Sequence, residues 1–179
     1  MVERILRFVL VCCVLLPAAT AAQPRPDQEE EEGDKKPWVE LEVKPPPLPK
    51  PENLLRFEPS AASSNRFYID QESIAVGGDG VVRYTLVVRS PSGAENISYE
   101  GIRCETIEQK YYAFGRRDGT WSNARSNEWR RIEYKVLNRH HGVLYVDYFC
   151  PDRHPIRSPK EAVHRFKYRV PPRSGSSPN

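Results

Sequence analysis

Apolar positions along the chain fall into three regimes. Residues 8–16 form an unbroken apolar run of nine, preceded by Arg4 and Arg7 and followed by Pro17 and the small residues 18–22. Such a run is too short to cross roughly 30 Å of hydrocarbon as a helix. Its basic start and small-residue end predict a cleaved secretory signal over residues 1–22, with cleavage after Ala22 or one residue earlier. No second apolar segment of that length follows, so no membrane span is expected once the signal is removed. Residues 23–50 are the second regime, poor in apolar residues, with the acidic run Glu29, Glu30, Glu31, Glu32 and the prolines Pro45, Pro46, Pro47 and Pro49. This composition buries too little surface to offset ordering entropy, and disorder is expected from residue 23 to about residue 37. Within it, Trp38, Val39, Glu40, Leu41, Glu42 and Val43 alternate, which predicts an edge strand leading into a polyproline II connector. Trp38 and Leu48 are then the residues expected to dock this arm on its own domain.

The third regime, residues 51–169, reads as one domain of short strands with turn punctuation. Strands are predicted at residues 66–70, at 73–76 before the turn Gly77-Gly78-Asp79-Gly80, and at 81–89, the stretch densest in β-branched residues. A turn over residues 90–95 returns the chain antiparallel as residues 96–104. Further strands are expected at 110–114, 129–136 and 143–149, with turns at Asp118-Gly119 and His141-Gly142. Ser158 followed by Pro159 predicts the N-cap and first position of a short C-terminal helix. The fold class is therefore α+β, mostly antiparallel β-sheet with one or two short helices. Residues 170–179 read as a disordered tail. If strand 82–89 pairs with 96–104 in the simplest register, Val82, Tyr84, Leu86 and Val88 share a face with Ser98, Glu100, Ile102 and Cys104. Glu100 then points into an apolar core and needs a guanidinium or several hydrogen bonds. Arg83 and Arg103 fall on the opposite face and need counter-charge or an anionic ligand of their own.

Charge adds an asymmetry to this picture. The full chain carries a formal net charge of +3, yet the arm is acidic, so the domain and the tail from Arg153 to Arg173 are basic. Of four cysteines, Cys12 and Cys13 lie within the signal. Val11 before Cys12 and the mid-run position of both argue against a lipoprotein. Cys104 and Cys150 remain, and in an oxidising compartment they are expected to pair, which the chain-entropy model values at about 4 kcal/mol.

The segments Phe67-Tyr68-Ile69-Asp70, Asp79-Gly80-Val81-Val82-Arg83-Tyr84, Tyr99-Glu100-Gly101-Ile102-Arg103-Cys104, Tyr112-Ala113, Trp121, Trp129 and Phe149-Cys150-Pro151 resemble the cryptic neisserial protein 1-like family. The resemblance implies a small exported protein of beta-proteobacterial type and supplies no catalytic residue to carry over.

Candidate chemistry is sparse. His140, His141, His154 and His164 lack zinc-motif spacing and read as solvated turn histidines, so no metal and no cofactor is expected. There is no Gly-x-Ser-x-Gly or Ser-x-x-Lys nucleophile motif. The glycines at 77–80 precede a strand rather than a helix, which suits a hairpin and not a phosphate cradle. Aromatic and guanidinium residues do interleave through Arg103, Tyr111, Tyr112, Phe114, Arg116, Arg117, Trp121, Arg125, Trp129, Arg130 and Arg131, and Tyr112, Arg116, Trp121 and Trp129 are the candidate aromatic-basic surface. The modest net charge argues against nucleic acid, leaving envelope polyanions or another envelope protein as expected partners. These readings point to a periplasmic, non-catalytic binding or accessory protein, with a periplasmic hydrolase as the alternative. A flat aromatic-basic face would favour the first, and converging acid-base groups in an open pocket the second.

Overall fold

The β-branched and alternating runs between Leu54 and Arg131 pair into one seven-stranded antiparallel sheet. In this computed structural model the described residues are 37–60, 63–133 and 139–168. The expected signal, the acidic run and the final tail lie outside them. Strands β1 (Leu54–Phe57), β2 (Arg66–Val76), β3 (Val81–Arg89), β4 (Glu95–Arg103), β5 (Glu108–Gly115) and β6 (Trp121–Asn123) follow in spatial order, and β7 (Arg130–Arg131) pairs with β5. From Trp38 onward the described residues form one compact unit.

The two stretches expected at 66–70 and 73–76 are one strand with a bulge, because the register with β3 shifts between Asp70 and Ala75. Ser73 stands in for the lost ladder there: its hydroxyl accepts from the Thr85 amide at 2.7 Å and donates to the Asp70 carbonyl at 2.7 Å. Hairpins close β3–β4 and β5–β6 at the expected turns, with Gly93 and Gly119 at φ 86° and 84°. The β3–β4 register is the simplest one, pairing Val82 with Ile102, Tyr84 with Glu100 and Leu86 with Ser98.

Four expectations are corrected. Residues 143–149 are helical rather than extended: α1 (Arg139–Val143) runs into a π-type segment, Leu144–Phe149, where the Cys150 amide donates to the Tyr145 carbonyl five residues back. The predicted turn at His141-Gly142 lies inside α1. His141, Leu144, Tyr145, Tyr148 and Phe149 are the buried residues, and their spacing of i, i+3, i+4, i+7 and i+8 is a helical stripe that the local β-branched density obscured. The strand expected at 129–136 is only β7 among the described residues, since 134–138 lie outside them. The arm residues 38–43 form no strand, because they cross a sheet face, where no ladder is open to them, instead of running along an edge.

Helix α2 (Pro159–Tyr168) begins as its cap chemistry predicts. Ser158 Oγ accepts from the Glu161 amide at 3.4 Å, and Glu161 reaches back to the Arg157 amide at 2.9 Å. Phe166 of α2 stacks on Tyr148 at 4.0 Å, and Tyr84 of β3 stacks on Phe149 at 4.8 Å. These contacts close the apolar core between one sheet face and the helices, with Ile69, Val82, Leu86, Ile102, Leu144 and Ile156 inside. The Cys104–Cys150 disulfide, Cα–Cα 5.4 Å, ties the end of β4 to the end of the π-type segment.

Candidate functional site

Polar groups gather on both faces of the sheet. On the helix face, pairing with Tyr84 turns Glu100 inward, and α1 sets His141 against it. The Glu100 carboxylate accepts from the Tyr84 hydroxyl at 2.9 Å and from Ser98 Oγ, and lies 2.8 Å from His141 Nε2. Burial pushes this carboxyl up, but the His141 ring and these hydrogen bonds outweigh it and hold it below its ordinary value. Burial and the adjacent Glu100 push the Tyr84 phenol well up. His140 lies 4.1 Å from the His141 ring and stacks on Phe67 at 5.3 Å. Burial, then His141, pulls it down to about 4. Glu100 is thus the inward carboxylate the register implies, with an imidazole rather than a guanidinium as its basic partner. His140 and His141 are not solvated turn residues. With Glu100 0 % and His141 2 % exposed, the pair is sealed from solvent and braces the core.

The opposite face carries the arm. Arg83 is buried and bonded by both terminal guanidinium nitrogens to Asp79, at 2.6 and 3.1 Å. Glu40 of the arm meets Lys110 Nζ at 2.7 Å, the Tyr112 hydroxyl at 2.8 Å and Trp129 Nε1 at 3.2 Å, with Arg83 at 4.0 Å. Burial alone would raise the Glu40 carboxyl; the bonds from Lys110, Tyr112 and Trp129 bring it below its ordinary value. Burial, then Glu40, drives the Tyr112 phenol upward. Trp38 Nε1 donates to the Asp79 carbonyl at 2.8 Å, its ring lies 3.9 Å beneath the Arg103 guanidinium, and it meets Trp129 edge-on at 5.9 Å. Farther along, Trp121 Nε1 donates to the Pro46 carbonyl at 2.7 Å. Leu48 closes over Gly115, where an added Cβ would come within 3.0 Å of its methyl. Trp38 and Leu48 therefore both dock, as expected.

A third feature lies beside β6. A groove of about 340 Å³ is lined by Tyr111, Phe114, Asn123, Ser126, Arg125 and Arg130 among others. Tyr111 and Phe114 stack at 5.4 Å, and Phe114 is 41 % exposed. Both arginines are exposed at its rim.

A family model for the CNP1-like family matches residues 33–167. The chain belongs to that family. No curated protein and no solved structure matches it. In this CNP1-like protein the match begins just ahead of Trp38 and ends within α2, so it takes in the docked arm together with the sheet and helices.

The structure divides the predicted site residues. Glu100 is on the helix face, while Arg83 and Arg103 are on the arm face with separate partners, Asp79 for the first and Glu105 at 3.0 Å for the second. Tyr112, Trp121 and Trp129 are brought together, but beneath the arm, whereas Arg116 is exposed at the β5–β6 turn. Sequence reasoning missed Glu40, Asp79, Lys110 and His141, whereas Tyr111, Phe114, Arg125 and Arg130 of the groove belong to the interleaved aromatic and guanidinium series it named. For His141 a signal existed, the helical spacing to Leu144, Tyr145 and Tyr148. For Glu40 and Asp79 none did, because their partners are distant in sequence. Among the described residues no group of three or more His, Cys, Asp or Glu side chains could hold a metal ion, and no helix is long and apolar enough to cross a membrane.

Proposed function

We propose that this CNP1-like protein is an exported, periplasmic, non-catalytic binding protein that holds an anionic envelope polymer, such as a phosphorylated or acidic glycan, in the groove beside β6. The observation that carries the reading is the stacked Tyr111–Phe114 pair, open on one side, with Arg125 and Arg130 exposed at its rim. Aromatic faces hold sugar rings by dispersion, and guanidinium groups bond phosphate or carboxylate in pairs. Ser122, Asn123 and Ser126 add neutral donors and acceptors to the lining. The hydrolase alternative would draw on Glu100 and His141, and their burial leaves no path for a substrate to either group.

Export is supported by the apolar run at residues 8–16 and by the Cys104–Cys150 bond, which belongs to an oxidising compartment. Sedimentation with purified lipopolysaccharide tests the binding reading. Binding is expected at low salt and should fall steeply as salt rises, and Arg125→Glu with Arg130→Glu should abolish it. No sedimentation at low salt, or sedimentation indifferent to the charge reversal, would refute the assignment.

A further inference from the structure

We propose that the face beneath the arm is a peptide-binding slot whose ligand is an extended acidic segment with an aromatic residue two positions before a carboxylate, and that Trp38 and Glu40 are its resident, displaceable occupants. The site is distinct from the groove beside β6 and does not rest on it.

The slot's chemistry is that of a receptor. Two cations, Arg83 and Lys110, are 2 % and 5 % exposed, so each requires an anion at close range. Asp79 serves Arg83 from within the domain, whereas Lys110 is served at 2.7 Å by Glu40 from the arm. Tyr112 and Trp129 aim two further donors at the same carboxylate, at 2.8 and 3.2 Å. Three donors converging on one carboxylate, one of them charged, make a strong and directional anion site. The indole has its own place between the Arg103 guanidinium, the edge of Trp129 and the Asp79 carbonyl. Arg83 Nε and Arg103 Nε are buried without a hydrogen-bond partner, so the slot's donors exceed what its occupant uses.

The occupant is held lightly by comparison. Residues 38–46 add no strand to the sheet. Their backbone is fixed by the Leu41 amide to Asp79 at 2.9 Å, the Leu41 carbonyl to Arg83 at 3.3 Å and the Pro46 carbonyl to Trp121. Val39 and Leu41 are 74 % and 49 % exposed, so the apolar anchoring of the segment falls mainly on Trp38 and the half-buried Val43, Pro45 and Pro46. A cavity of about 500 Å³ runs alongside it between Glu40, Val43, Lys110, Tyr112 and Asn127. A segment with no ladder to the sheet opens at lower cost than the strands beneath it, and an external chain gains the slot once the arm leaves it.

The test uses a fluorescein-labelled peptide spanning residues 37–48, read by anisotropy on the full chain. The Trp38→Ala/Glu40→Gln chain, whose own arm is weakened, should bind it about tenfold or more tighter than the wild type, where the resident arm competes. The same peptide with Glu40→Gln should bind the weakened chain about tenfold less well. Where the double variant does not fold, Trp38→Ala alone keeps Glu40 over Lys110 and takes its place. Equal affinity for wild-type and weakened chains, or indifference to Glu40→Gln in the peptide, would show that the arm is a fixed brace and overturn the proposal.

Discussion

Glu100 is the buried carboxylate of a largely apolar sheet face, and three side chains from three elements converge on it. Tyr84 comes from β3, Ser98 from β4 itself and His141 from α1. Glu100→Gln keeps the shape but loses the charge opposite His141, and should cost on the order of 3 kcal/mol in a denaturant melt. His140 makes the same region acid-sensitive. Its folded value of about 4 lies below the ordinary 6.5, so the unfolded chain takes the proton first. Stability should therefore fall as pH drops from about 6.5 towards 4, by up to about 3 kcal/mol. The lowered Glu100, Glu40 and Asp79 carboxyls add loss in the same direction as pH falls through their folded values. Chemical denaturation across that window, repeated on His140→Phe, which preserves stacking on Phe67, should show the slope flattened in the variant. Gly101 is a third residue-scale case. An added Cβ there would sit 2.8 Å from the Tyr112 hydroxyl, so Gly101→Ala should cost about 1–3 kcal/mol by overpacking and move Tyr112 off Glu40.

At the scale of elements, the segment from α1 to Cys150 depends on tertiary contacts. Five α-helical residues followed by six in a π-type segment are too short to persist alone. Packing of Leu144, Tyr145 and Phe149 on β3 and β4 holds them, as do the Tyr145 hydroxyl bond to the Cys104 carbonyl at 3.2 Å and the disulfide. Leu144→Ala should lose about 2–5 kcal/mol, since Leu144 is fully enclosed. The expectation of a strand here failed for a physical reason: a short run rich in valine and tyrosine satisfies both periods, and only the position of its partners decides between them. The β3–β4 hairpin was legible because residues 81–89 are dense in β-branched side chains, Val82 to Leu86 alternate apolar with polar, and the turn at 90–95 follows directly.

For the molecule as a whole, the sheet is covered on one face by helices and on the other by residues 38–46 of the arm. Limited proteolysis should release the segment ahead of Trp38 first and leave the domain with its docked arm, because the acidic run at residues 29–32 offers no apolar anchor whereas Trp38 and Glu40 hold the arm to the sheet. Equal protection of residues 23–36 and of β3 would contradict this.

Sequence alone determined the α+β class, the β3–β4 hairpin, the α2 cap and, given the simplest register of that hairpin, the inward face of Glu100, because each rests on local periodicity or turn chemistry. The disulfide was legible as well, since only two cysteines follow the apolar run at residues 8–16. Tertiary structure alone decided that His141, and not an arginine, meets Glu100. It also decided that Tyr112, Trp121 and Trp129 lie under a strap instead of forming an open face. Glu40 and Lys110 are 70 residues apart, and nothing local to either announces the other. A pairing of that kind is fixed only when the whole sheet has set which side chains share a face, and desolvation then forces each buried charge to take the nearest opposite one.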